Sequence, residues 1–256
     1  MKKTLITATT CLLALPSVAS ADTVGLFVGA GSFKPEFTGS FQNSDTNTTI
    51  GEIDLEDDLG LDEDTASYFY IAIEHPIPVL PNIRLARTDM EQKGTSTLTR
   101  SIVFDGKTYS ANTAVESIVD LSHTDLTLYY ELLDNWVNLD LGLTVRQFDG
   151  KLQISGDIAG TTETASEDLD FPMPLLYAKA QFDLPLTGLY VAAEGNFIGY
   201  GGNSFLDATG KIGYETSLGF GVEAGLRSIT LEIDDEDDVE ADMEFSGMYL
   251  AAHYHF

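Results

Sequence analysis

The sequence predicts an all-β protein, a transmembrane antiparallel up-and-down β-barrel of about ten strands. Three observations predict it. Apolar and polar residues alternate with a period of two over many segments, the periodicity of strands. Those segments run to about 9–11 residues, the length of a tilted membrane strand. Short turns alternate with long polar connections, and Tyr130, Trp136, Phe182, Tyr214, Phe220, Tyr254 and Phe256 gather beside the short turns, where an interfacial girdle belongs. A soluble sandwich shows the same alternation with its apolar face on a core; the strand lengths and the girdle favour the barrel.

Residues 1–21 read as a cleaved signal peptide. Lys2 and Lys3 form a basic start, Leu5 to Leu15 an apolar stretch, and Ala19-Ser20-Ala21 a small-residue cleavage site. The barrel is then expected over 22–256, with no cysteine, because the single one, Cys11, lies in the apolar stretch.

The expected strands are 23–33, 66–75, 82–92, 117–132, 136–149, 173–184, 188–199, 205–216, 218–232 and 243–256. In the first, Val24, Leu26, Val28 and Ala30 alternate with Gly25, Phe27, Gly29 and Gly31; in the second, Phe69, Ile71 and Ile73 alternate with Tyr68, Tyr70 and Ala72. In the third, Arg87 shares the parity of Ile83 and Leu85, which requires either a bulge or a place at the rim. Leu126, Leu128, Tyr130 and Leu132 mark the fourth, and Val137 to Val145 the cleanest alternation of all, in the fifth. Leu176, Ala178, Ala180 and Phe182 mark the sixth, and Phe220, Val222, Ala224 and Leu226 the ninth. An even count puts both termini on the periplasmic side. The short turns are 75–81, 134–135, 184–187 and 216–217. Connections 34–65 and 93–116 can each carry a hairpin, with Asp105-Gly106 as a turn signal. A hairpin joining the wall would give twelve strands; loss of the weak eighth strand and a neighbour would give eight.

Composition narrows the function. The chain has 256 residues, with 13 Lys and Arg against 41 Asp and Glu and a net charge of −28. That charge excludes nucleic acid as a partner. After the signal no apolar run is long enough for a membrane helix.

The stretches Asp54 to Leu61, Glu74-His75-Pro76-Ile77-Pro78, Leu121 to Leu143 and Tyr200-Gly201-Gly202-Asn203-Ser204 resemble an uncharacterised proteobacterial family of small outer-membrane β-barrels. The resemblance covers most of residues 22–256. It implies a barrel in the Gram-negative outer membrane and transfers no catalytic residue.

Scarce basic residues fall on the inward parity: Arg84, Arg146, Lys179, Lys211 and Arg227. They meet inward acids Glu74, Asp125, Glu131, Asp140, Asp183, Glu194, Glu215 and Glu223. The leading reading is a lumen plugged by ion pairs, in a protein with a structural or surface-interaction role, because a charge inside a narrow barrel survives only when paired. The second is a narrow, porin-like channel preferring small cations, lined by the surplus carboxylates. The third is an outer-membrane enzyme of the protease or lipid A deacylase kind, drawing on His123 with Asp125, or on His253 and His255. Ser122 has the opposite parity to His123, and His253 and His255 fall at the periplasmic end, so the expectation is that the chain is not an enzyme. No cofactor and no metal centre are expected.

Acidic runs from Asp54 to Asp64 and from Asp234 to Glu240 fit no calcium-loop template, so they read as solvated surface that senses divalent cations weakly and collectively. At the C-terminus Met248, Leu250, Ala252, Tyr254 and Phe256 form an apolar series ending in an aromatic residue. It looks like the strand signal read by the barrel assembly machinery. Outer-membrane lipid and lipopolysaccharide are the remaining expected partners.

Overall fold

The computed structural model describes residues 24–43, 52–62, 64–236 and 239–256. The expected signal peptide and Glu63 lie outside them. In chain order the strands are β1 (Gly25–Asn43), β2 (Ile53–Asp54), β3 (Ala66–Glu74), β4 (Asn82–Asp89), β5 (Glu91–Thr97), β6 (Ile102–Phe104), β7 (Lys107–Tyr109), β8 (Ala114–Asp120), β9 (His123–Leu133), β10 (Val137–Phe148), β11 (Gly150–Ile158), β12 (Thr161–Leu169), β13 (Pro172–Asp183), β14 (Leu189–Tyr200), β15 (Asn203–Glu215), β16 (Phe220–Glu236) and β17 (Val239–His255).

Ten of these close into one antiparallel barrel, in the order β1, β3, β4, β9, β10, β13, β14, β15, β16, β17. β17 returns to β1 along a ladder from Phe27↔His255 to Asn43↔Val239. Closure removes both sheet edges, whose unpaired backbone groups lipid could not satisfy. The wall is ten-stranded, as the alternation predicts; of the expected connection 34–65, however, residues 34–43 prolong the first strand along β17, and the two-residue β2 pairs with β1 at Ser40↔Asp54 and Phe41↔Ile53 without becoming a further wall strand. Within 93–116, β6 and β7 form a separate hairpin, with Asp105 (φ 47°) and Gly106 (φ 69°) in the left-handed turn between Phe104 and Lys107.

The start of β1 at Gly25 and the end of β17 at His255 lie at one end, here the terminal end, with the turns 75–81, 134–136, 184–188 and 216–219. Leu126, Leu128, Leu141, Leu143, Leu176, Val222, Leu226 and Leu250 project outward and exposed. An apolar belt of this extent belongs in lipid rather than water. At its terminal edge Trp136 meets Phe182 with ring centroids 5.3 Å apart, and Tyr254 meets Phe220 at 4.5 Å and Phe256 at 4.4 Å.

At the far end, two expected strands are each two elements. The third, 82–92, divides at Met90 into β4 and β5, and the fourth, 117–132, divides at Leu121-Ser122 into β8 and β9. The joint is built by side chain and backbone together: the Met90 amide donates to Ser122 Oγ (3.0 Å), and the Leu121 amide to the Met90 carbonyl (2.9 Å). β10 similarly passes at Asp149 into β11. The continuations β5, β8 and β11, with β12, form a second, four-stranded sheet ordered β12-β11-β8-β5. It bends off one side of the wall.

This sheet, the far ends of β1, β16 and β17, and residues 52–62 and 98–109 enclose a hydrophobic core. Phe33, Phe37, Phe245, Phe148, Phe205 and Ile229 rise from the barrel interior to meet Leu55, Leu59, Tyr109, Val115, Val119 and Ile154. Several strands therefore invert their pattern along their length. On β16, apolar residues occupy the outward positions Val222, Ala224 and Leu226, then the inward positions Ile229, Leu231 and Ile233. On β17 the inversion falls between Phe245, which is inside, and Met248, which is outside. No register shift accompanies either inversion: the β16–β17 ladder is continuous from Phe220↔Tyr254 to Ile233↔Ala241. Arg87 sits at this boundary. β4 pairs regularly through it, so it is a rim residue and not a bulge, bonded to Asp89 (2.7 Å) and Asp149 (2.6 Å).

Candidate functional site

The lumen divides into two polar layers below the hydrophobic core. The upper one is a belt of charge. Arg146 on β10, 1% exposed, donates from Nε and Nη2 to the two carboxylate oxygens of Asp125 on β9, at 2.8 and 2.7 Å. Its Nη2 also reaches Asp207 on β15 at 2.7 Å. β13 and β14 lie between those two strands in the wall, so this bond crosses the lumen. Arg227 on β16 closes the series with two further bonds to Asp207, at 2.9 and 2.7 Å. The aromatic faces of Phe205 and Phe33 lie 5.4 Å from the Arg146 and Arg227 guanidinium carbons respectively, joining the belt to the core above. Beside it Arg84 donates to the Tyr68 hydroxyl and lies 3.5 Å from Glu194. The belt encloses a cavity of about 30 Å³, the size of one water molecule. The polar lumen ends here.

The lower layer is a vestibule of about 680 Å³ that opens at the terminal end. Its cations are engaged: Lys179 lies 3.5 Å from Asp140, and Lys211 lies 3.0 Å from Glu223 and 3.5 Å from Glu194. Three carboxylates instead meet neutral donors. Glu74 accepts from the Tyr129 hydroxyl (2.7 Å), Glu131 from Asn82 (3.0 Å), and Asp183 from Asn138 (3.0 Å) and Gln181 (2.9 Å). Elsewhere on the vestibule wall His253 Nε2 lies 3.1 Å from Glu215. Gly221 makes room for that imidazole, since a Cβ there would stand 2.1 Å from the ring.

Each lumen residue singled out by parity borders the belt or the vestibule. Parity reasoning passed over Asp207, the acid shared by both belt arginines, although it has the same parity as Lys211 and Glu215 on its own strand. It also passed over the tyrosines: Tyr129, Tyr190 and Tyr249 each give a hydroxyl to a lumen carboxylate. His123 and Asp125 do share the inward face without forming a pair. The imidazole is buried beside Phe148 with Nδ1 2.8 Å from the Leu121 carbonyl, while Asp125 is held by Arg146.

The acidic runs are not uniformly solvated. Asp58 is 1% exposed and accepts from Arg100 (2.7 Å) and from the Asp54 amide (3.0 Å), which pins the 52–62 segment to the far-end core. Asp237 and Asp238 lie outside the described residues. Among those described, no group of three or more His, Cys, Asp or Glu is placed to hold a metal. Met248, Leu250, Ala252 and Tyr254 lie along the outward face of β17, and the Phe256 amide donates to the Leu26 carbonyl at 2.9 Å.

No protein-family model and no curated protein matches the chain. Solved structures do. The outer membrane protease OmpT from Escherichia coli is similar over 93% of this chain and 98% of its own, at 10% identity and a TM-score of 0.50. The fold is that of an outer-membrane β-barrel. The transport unit of the Escherichia coli autotransporter AIDA-I (96% and 94% covered, 10% identity, TM-score 0.42) and Neisserial surface protein A (92% and 100%, 9%, 0.31) also match. The likeness to OmpT carries the fold and does not reach the narrower resemblance to one uncharacterised family. It corrects one expectation. A chain of this fold was expected not to be an enzyme, yet the fold is shared with a protease, so the architecture gives no ground for excluding catalysis.

Proposed function

We propose that the chain is an integral outer-membrane protein with a structural or surface-interaction role, its barrel closed by ion pairs and its far-end cap presented outside the cell. The observation that carries this reading is the cross-section at the belt. Arg146, Asp125, Asp207 and Arg227 bond to one another across the lumen, and phenylalanines pack on top of them. Buried charges paired in this way are costly to separate, so the belt acts as a plug and not as a row of ion sites. The narrow cation channel would need a polar path past Phe33, Phe205 and Phe245. In this reading residues 1–21 direct export, the terminal end faces the periplasm, the series Met248 to Phe256 is read by the assembly machinery, and the leucine-rich belt meets lipid and lipopolysaccharide. The acidic runs of the cap sense divalent cations weakly and collectively.

Planar-bilayer recording of the purified protein in concentrated potassium chloride tests the plug. The expected trace has no unitary steps; stable cation-selective steps would overturn the reading.

A further inference from the structure

The connections at the terminal end are unlike turns that face water. Each of the five junctions there exposes a large apolar side chain: Val79 and Leu80 between β3 and β4, Trp136 between β9 and β10, Leu186 between β13 and β14, Leu218 between β15 and β16, and Val24 with Phe256 where β17 meets β1. Water-facing turns are ordinarily polar. In a chain with 41 Asp and Glu, Asp134 is the only Asp, Glu, Lys or Arg within the turns 75–81, 134–136, 184–188 and 216–219. Leu186 is fully exposed and holds φ at 65°, a left-handed conformation that costs a bulky side chain free energy.

The backbone of this rim is paired as it has to be away from water. Within the turns, the Leu80 amide donates to the Ile77 carbonyl (3.1 Å), the Thr187 amide to Leu184 (3.3 Å) and the Gly219 amide to Thr216 (2.9 Å). Between them, the Trp136 carbonyl accepts from the Asp183 amide (2.9 Å), that of Gly188 from Glu215 (2.8 Å) and that of Gly219 from His255 (2.9 Å), which links each turn to the next strand end. The 75–81 turn also lies against the outside of the wall, where the Val79 carbonyl accepts from the hydroxyl of outward-facing Tyr130 at 3.3 Å. The rim continues the apolar belt without a break, through the contacts of Trp136 with Phe182 and of Tyr254 with Phe256.

We propose that the rim is a lipid-binding surface: its apolar turns lie at the boundary between headgroups and acyl chains of the phospholipid leaflet on the terminal side, so that the barrel ends, and the vestibule opens, within the membrane surface. A docked protein would cover one side of the rim; junctions spread around the whole circumference suit a medium that surrounds the barrel. The near absence of charge places the turns below the headgroups and not among them. The inference rests on the reading of the chain as an integral membrane protein and adds which residues set its depth.

The test is tryptophan quenching by brominated lipid in phosphatidylcholine vesicles. The chain has one tryptophan, so the full chain with Trp136→Phe can carry a single reporter as Val79→Trp, Leu186→Trp or Leu218→Trp, with Leu143→Trp in the belt and Glu167→Trp on the cap as references. The three rim reporters should be quenched most by lipid brominated near the headgroup, at a depth of about 5–10 Å. Leu143→Trp should be quenched most by lipid brominated deeper in the chain, and Glu167→Trp by neither. The rim positions are independent, so a variant that fails to refold leaves the others to decide. Rim reporters untouched by either lipid while Leu143→Trp is quenched, the result expected of a surface kept for a protein partner, would overturn the proposal alone. An unquenched Leu143→Trp would overturn the integral-membrane reading and this inference with it.

Discussion

The belt-spanning part of the wall and the far-end cap are made from the same strands and obey opposite rules. Below the inversion on β16, Val222 and Leu226 face out and Glu223 and Arg227 face in; above it, Ile229 faces in and Glu232 faces out. One part is inside-out, with its polar groups paired in a narrow lumen. The other is built like a soluble protein, around Phe33, Phe245, Tyr109 and Leu55. What differs is the surroundings each half expects. Where lipid supplies no hydrophobic driving force, the interior is held by charge and hydrogen bonds; where water does, it is held by apolar burial. The level of the inversion is thus a reading of where the membrane ends.

The largest effects should come from the two interiors, by different routes. Arg146→Ala leaves Asp125 without its bidentate partner and should cost about 3–5 kcal/mol. Denaturant unfolding in detergent, followed by the fluorescence of Trp136, measures it. Phe245→Ala opens the cap core at a similar cost, about 3–5 kcal/mol, yet should loosen the cap while the barrel stays closed. Limited proteolysis should then cut within 91–120 and 150–169, with heat-modifiable electrophoretic mobility retained. Loss of both together would mean that the two regions form one cooperative unit.

Substitutions on the outer surface sharpen the comparison. Leu143→Arg, in the apolar belt, should cost about 2–4 kcal/mol in lipid. Asp242→Arg, outward on β17 beyond the inversion, should stay within about 0.5 kcal/mol. At the boundary itself the effect is also expected to be small: Arg87→Ala breaks half-exposed pairs with Asp89 and Asp149 and should cost about 1 kcal/mol or less. Equilibrium unfolding into lipid vesicles compares all three.

Alternation made the wall legible from residues alone, because a membrane strand shows its two environments at every second position. The terminal-end turns were legible too, through Pro76, Pro78 and Asp134-Asn135. The cap was less so. At Met90 and Leu121-Ser122 the alternation runs on while the hydrogen-bonded neighbours change, and a period of two does not register a change of sheet. The hairpin of β11 and β12 is polar on most of its surface and gives little pattern to read. Its buried side chains, Ile154 and Ala165, are few. The inversion itself was present, in the switch of apolar positions from even to odd along 220–233 and from odd to even along 243–256, and it goes unseen when each segment is read with one fixed face. In the lumen, parity places the charges but not their partners. The bond from Arg146 to Asp207 joins strands that are not neighbours in the wall, and which side chains meet across a barrel depends on shear and length.

The central claim, that the inversion marks the edge of the membrane, is tested most directly by cysteine scanning along the outward face of β16. The one cysteine, Cys11, precedes residue 22, so in protein refolded from residues 22–256 single replacements at Val222, Ala224, Leu226, Glu232 and Asp234 can be labelled without background by a membrane-impermeant maleimide in sealed lipid vesicles. The account predicts that positions 222, 224 and 226 are protected and that 232 and 234 are labelled rapidly, with the change falling between residues 226 and 232. Uniform labelling along the strand, or protection reaching Asp234, would contradict it.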